Sequence, residues 1–267
     1  GRNMIDFEQK PSYDVSDLAE IVRILRAPGG CPWDREQDHR SIRRDLLEEA
    51  YEVAEAIDEG SPEHLKEELG DLLLQVVMHA RMEEEAGRTD LDGVADGICK
   101  KLIYRHPHVF GDVTVTGTGE VLANWDELKK KEKHQATAAD SVDAVARSLP
   151  GLWRAEKVQK KAAKVGFDWD GVDGALDKLR EETEELQTAI REGSNVSEEL
   201  GDLLFAAVNV ARFVKVDPEK AMTAACDKFA RRFRAVEEAA AAQGKALSSM
   251  TLAEMDALWD QVKEQET

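Results

Sequence analysis

The sequence predicts an all-α protein built from two tandem helical bundles, and three observations carry that prediction. Composition is the first: of 267 residues, 34% are charged, 42% are hydrophobic and only 7 are proline. Long runs of Ala, Glu, Leu, Lys and Arg favour helix over sheet. The second is an internal repeat, in which four blocks recur in the same order. The third is the spacing of apolar residues in the strongest blocks, which follows the helical period.

The elements follow from the repeat. LLEEAYE at Leu46–Glu52 returns as LREETEE at Leu179–Glu185, and EELGDLL at 67–73 returns unchanged at 198–204. KLIYRHPHVF, beginning at Lys101, lies against KFARRFRAVE from Lys228. NWDELKKKE lies against LWDQVKEQE, which pairs Trp125 with Trp259 and Lys129 with Lys263. Each copy is therefore expected to hold a leading helix, an EExxE helix, an ExxD helix and a late basic helix before a terminal Trp/Lys segment. Between the copies runs KHQATAADSVDAVARSLPG, polar and Ala/Ser-rich until Pro150-Gly151. It reads as a linker over 135–147, separating a domain at 1–134 from one at 148–267. The one β-leaning stretch, VFGDVTVTGTGEV at 109–121, reads as a loop with room for a hairpin.

Charge and cysteine usage narrow the function classes. A formal net charge of -19 disfavours non-specific nucleic-acid binding, which depends on Lys and Arg neutralising phosphates. An anionic ligand would need bound cations to mediate. Three distant cysteines, Cys31, Cys99 and Cys226, show no CxxC spacing, so neither a disulfide framework nor a thiolate zinc site is expected. A reducing cytoplasm suits them. No apolar run approaches the length that crosses a bilayer, and no membrane partner is expected.

On a helical wheel, Leu46, Leu47, Ala50, Val53, Ala54 and Ile57 share one sector, expected to be the buried face. Glu49 and Glu52 fall at its rim, whereas Glu48 and Glu55 point away. In the second copy Leu176, Leu179, Thr183, Leu186 and Ile190 take the apolar sector, with Glu182 and Glu185 at the rim. Glu68, Asp71 and Gln75 form a polar stripe on an otherwise apolar helix. Antiparallel pairing would gather Glu49, Glu52, Glu68 and Asp71 at one point, and Glu182, Glu185, Glu199 and Asp202 at another. Carboxylates so close repel one another unless a cation sits among them. All-oxygen ligation is the chemistry of hard cations, Mg²⁺ or Mn²⁺. A di-iron carboxylate bundle would want Glu-x-x-His, where this chain has Glu-x-x-Asp. EE-rich helices are commonly solvated surfaces, the reading that suits Glu48, Glu55, Glu181 and Glu184.

At these residues the sequence resembles MazG, a nucleoside triphosphate pyrophosphohydrolase of the all-α NTP pyrophosphatase group. The resemblance rests on EExxE followed by ExxD in both halves, on GCPWDREQ from Gly30, on RHPHVF from Arg105 and on VGFDW from Val165. It implies hydrolysis of NTPs and dNTPs to monophosphate and pyrophosphate, a house-cleaning activity on nucleotide pools. It also implies Mg²⁺ held by Glu182, Glu185, Glu199 and Asp202 and by Glu49, Glu52, Glu68 and Asp71, a metal-activated water as attacking group, and a homodimer that completes the bundles. Lys178, Lys228, Arg232, Trp259 and Lys263 match its substrate positions, with Trp259 equally suited to a core. Where the second copy has Lys178 the first has Asp45, an acid that would repel phosphate. Asn209, two turns beyond Asp202, is Met78 in the first copy. These differences point to the second copy as the main active site, although Asn195 stands where the family pattern has a Lys. HPHVF reads as a turn packing Phe110, and GCPWD as a turn anchored by Trp33. The rival from another class is a non-catalytic helical dimerisation module that uses its acids for solubility.

Overall fold

In the computed structural model, which describes residues 5–266, the chain divides after Lys129 into two compact units. All of the regular structure among the described residues is helical. The first unit carries α1 (Val15–Arg26), α2 (Pro32–Glu36), α3 (Arg43–Glu59), α4 (Pro62–Glu85), α5 (Leu91–Arg105) and α6 (Pro107–Phe110). Helix α7 (Thr118–Glu132) straddles the division. The second unit carries α8 (Ala138–Asp143), α9 (Gly151–Ala163), α10 (Val172–Glu192), α11 (Val196–Phe213), α12 (Pro218–Ala242) and α13 (Leu252–Gln265). The hairpin allowed for at 109–121 is not formed: residues 111–117 are irregular and join α6 to α7.

Residues 135–147, read from sequence as a linker, contain α8. Thr137 and Asp140 close a capping box at its start, and the helix packs on α9 with Ser141 and Val145 buried. A T-x-x-D cap inside a polar run is enough to start a helix turn.

Two helical hairpins organise the molecule. Helix α3 ends on Gly60 at φ 69°, a left-handed position suited to glycine, and Ser61 then caps α4 by accepting from the His64 amide. Helix α10 ends likewise on Gly193 at φ 67°, and α11 starts after Asn195 at φ 57°. Asn is among the few residues other than glycine that tolerate this region. These short connections force α3 against α4 and α10 against α11, which sets EExxE opposite ExxD.

In the first unit Val22, Ile42, Val77, Met78 and Met82 form a core with Leu18 and Leu74 packed against it. Arg26 reaches from α1 to Glu85 on α4 and donates to the carbonyls of Asp34 (2.6 Å) and Gln37 (3.0 Å). That clamp holds the GCPWDREQ segment. Trp33, expected to anchor it, is 60% exposed, and Phe110 is 62% exposed rather than packed in its turn. In the second unit Val236, Ala240, Leu258 and Val262 lock α12 to α13.

The buried faces of the motif helices differ from the wheel reading. On α3 the side turned inward carries Leu46, Glu49, Val53 and Ala56, while Leu47 and Ile57 stay exposed. On α4 Glu68 and Gln75 are buried, and Leu69, Leu73 and Val76 are exposed. The second unit repeats this: Ala175, Glu182 and Ala189 are buried, while Ile190, Leu200, Leu204 and Phe205 are exposed. Within one chain the hairpins close around their carboxylates, and the apolar stripes are left uncovered.

Candidate functional site

The turn geometry brings three carboxylates together in each unit. Glu49, Glu68 and Asp71 offer oxygens within 4.8 Å of one another, and so do Glu182, Glu199 and Asp202. The fourth acid of each set stands beside its cluster. Glu52 stands close enough to Glu49 and Glu68, and Glu185 to Glu182, to raise the pKa values of these carboxyls. Glu48, Glu55, Glu181 and Glu184 are exposed.

Burial and mutual repulsion appear in the protonation of these groups. Burial first, then Glu52, Asp71 and Glu68, push the Glu49 carboxyl up to about 7. Glu68 is raised by burial and by Glu52. Glu185 is raised chiefly by the charge of Glu182, with burial adding to it. One oxygen each of Glu49, Glu68, Glu182 and Glu199 is buried with no hydrogen-bond partner. Orphaned buried acceptors are rare and costly. Four of them, all carboxylate oxygen and all in the two clusters, fit a hard divalent cation.

The clusters differ in the basic side chain that contacts each. Lys178, one turn before Glu182 on α10, places Nζ 2.6 Å from Glu182 Oε1 and 3.3 Å from Glu181, and its hydrogen bond to Glu182 raises its pKa. The first unit instead has His64, on α4, between Glu59 (2.6 Å) and Glu68 (3.1 Å). His64 lies four residues before Glu68, a helical spacing that reveals the contact once one looks for it.

Beside the second cluster opens a cavity of about 620 Å³ with Lys178, Glu182 and Asp202 on its lining. Its other walls include Phe167, Trp169 and Phe205, so the VGFDW motif borders it. Gly174 leaves room for Trp169, since a Cβ there would come within 3.0 Å of the indole. Asp168 is paired with Arg212 of α11, which holds the loop to the helix. A second depression of about 390 Å³ is lined by Glu185, Glu199 and Asn195 among other residues.

The remaining predicted substrate residues gather elsewhere. Arg232 pairs with Glu266 at 2.8 Å and lies 5.9 Å from the Trp259 ring centroid. Trp259 packs against the α12–α13 core, while Lys228 and Lys263 are exposed. None of these four lines either depression. The first unit repeats the arrangement with Arg105 5.8 Å from the Trp125 ring centroid. Gln159, which lines the large cavity, carried no sequence motif; a lone amide on a packed helix face was its only mark.

Comparison with known proteins agrees with this geometry. The family model for the MazG nucleotide pyrophosphohydrolase domain matches twice, over residues 37–110 and 172–236, once around each hairpin. A nucleoside triphosphate pyrophosphohydrolase of Escherichia coli K12 is 44% identical over 257 residues, 94% of this chain and 98% of its own length. A nucleoside triphosphate pyrophosphohydrolase/pyrophosphatase MazG of Thermotoga maritima is 40% identical over 92% of the chain and 94% of its own. An uncharacterized protein of Bacillus subtilis, YabN, is 48% identical over 97% of the chain, which spans only 54% of that relative. With both hairpins matched and the similarity running through nearly all of the chain, this protein belongs to the MazG nucleotide pyrophosphohydrolase family.

Proposed function

We propose that the protein hydrolyses nucleoside triphosphates to monophosphate and pyrophosphate with Mg²⁺, chiefly at the second cluster. The observation that carries this reading is the adjacency of three features: a carboxylate cluster with orphaned oxygens, Lys178 on one of its members, and a cavity opening from it. Glu182, Glu199 and Asp202, with Glu185 beside them, would hold the cation. When bound it would neutralise the phosphate chain and lower the pKa of a nearby water. Lys178, on the lining of the cavity, would turn from Glu182 to a phosphate once a cation occupied the cluster. The aromatic walls offer faces against which a nucleobase would stack.

The exposed stripes support a homodimer, in which Leu200, Leu204, Phe229 and Phe233 would be covered by a second copy. Pairing would also give Lys228, Arg232 and Lys263 a substrate to grip, since one chain leaves them away from the cavity. No helix among the described residues is long and apolar enough to cross a membrane.

A panel of NTPs and dNTPs with Mg²⁺, read by pyrophosphate release, tests the activity. Release of orthophosphate alone would sink it. A melting temperature indifferent to both Mg²⁺ and a non-hydrolysable NTP would favour a non-catalytic module.

A further inference from the structure

We propose that Gln159 and Asn209 read the nucleobase, making them the specificity-determining pair of this site. The proposal rests on the pyrophosphohydrolase reading above. The cavity is of a size that holds a small ligand. It is anchored at the carboxylates, so a nucleotide with its phosphates there extends along α11. Asp202 and Asn209 are seven residues apart on α11, about 10.5 Å along the axis and on nearly the same face. Asn209 is thus remote from the phosphates and placed for the base. Phe167 is 82% exposed and Trp169 45% exposed, aromatic faces beside this end of the cavity that a planar base would cover.

Both amides have their orientation set by a second partner. Gln159 Nε2 donates to the Phe205 carbonyl at 2.8 Å, and a flipped amide would put two oxygens face to face. Its Oε1 is buried with no hydrogen-bond partner, on a residue only 6% exposed that lines the cavity. Asn209 is set the other way. Its Oδ1 accepts from Arg212 Nε (3.0 Å) and Nη2 (2.7 Å), and Arg212 is itself held by Asp168. What Asn209 has left to offer is its NH₂. The site therefore presents one acceptor, from Gln159, and one donor, from Asn209. Gln159 Oε1, an acceptor, would repel a phosphate, and Asn209 stands two turns of α11 from Asp202. Together they complement a base edge that carries a donor beside an acceptor, and the bases differ in the order of the two.

The test uses the full-length protein with ATP, GTP, CTP and UTP, and with inorganic tripolyphosphate as a base-free competitor. Gln159→Met keeps the volume and removes both hydrogen bonds. It is expected to raise KM for the preferred triphosphate about tenfold or more with a smaller change in kcat, while the tripolyphosphate inhibition constant stays within about twofold. Asn209→Asp keeps the acceptor for Arg212 and removes the donor, and it is expected to reorder the ranking of the four bases. Asn209→Asp, near-isosteric, decides the matter if Gln159→Met melts early. An active wild type whose base ranking and KM survive in both folded variants overturns the base-reading proposal alone. A wild type that releases pyrophosphate from no triphosphate overturns the activity itself.

Discussion

The two hairpins carry the same carboxylate set in different surroundings, and the contrast lies in what stands beside each set. Around Glu182, Lys178 supplies a positive charge and a cavity of about 620 Å³ opens beside it. Around Glu49, the residue matching Lys178 is Asp45, and the imidazole of His64 is hydrogen-bonded to Glu68 and Glu59. Identical carboxylates are thus compatible with different work, and the difference lies one turn away from them. An extra acid at Asp45 raises the local negative potential, whereas Lys178 lowers it, which matters most for a ligand as highly charged as a triphosphate.

The largest effect should come from removing the clustered carboxylates in each copy separately. Glu182→Gln with Glu185→Gln is expected to lower Mg²⁺-dependent pyrophosphate release on the order of a hundredfold or more. Glu49→Gln with Glu52→Gln should leave most of it. Turnover abolished only by the first-unit changes would reverse the assignment.

Exchanging the neighbouring charges sharpens the same contrast. Lys178→Asp should reduce kcat/KM about tenfold or more through lost attraction for the phosphates. Asp45→Lys should increase the nucleotide-dependent rise in melting temperature, provided Mg²⁺ is present. An unchanged kcat/KM in Lys178→Asp would remove that residue from the substrate site.

A smaller effect lies in pH. Glu49 has its carboxyl raised from 4.5 to about 7, so in metal-free protein its neutral form is favoured by folding. That contribution is complete below about pH 4.5 and is lost as pH rises through about 7. Melting in EDTA should therefore show a fall in stability across this window, shallower in Glu49→Gln. Mg²⁺ should reverse the fall, since a cation stabilises the charged form. A wild-type slope no steeper than that of Glu49→Gln would refute the coupling.

The smallest change in the single chain, and the most informative about assembly, is expected at the apolar stripes. Ile57→Lys and Ile190→Lys alter residues 59% and 60% exposed, so each chain should keep its stability within about 0.5 kcal/mol. Sedimentation should nevertheless report weaker self-association for whichever stripe is covered in a dimer. Mass unchanged by both substitutions would place the contact elsewhere.

The sequence by itself determined the two-copy helical plan and the identity of the clustered acids. The reason is local: EExxE and ExxD carry a helical period, and Gly60 and Gly193 end the first helix of each pair within a few residues of the next. Hairpins so short leave only one antiparallel partner. Which face turns inward could not be read the same way. Leu47 and Ile57 belong to the more apolar side of α3, yet the hairpin closes on Glu49 and Ala56, because a stripe can be buried by a second copy as well as by the same chain. Sequence periodicity records that a face avoids water, without naming what covers it. The cavity was equally hidden, since Gln159, Trp169 and Asn209 come from α9, a loop and α11. Only packing brings three such segments together, and only the bonds to Phe205 and Arg212 decide which end of each amide is left for a ligand.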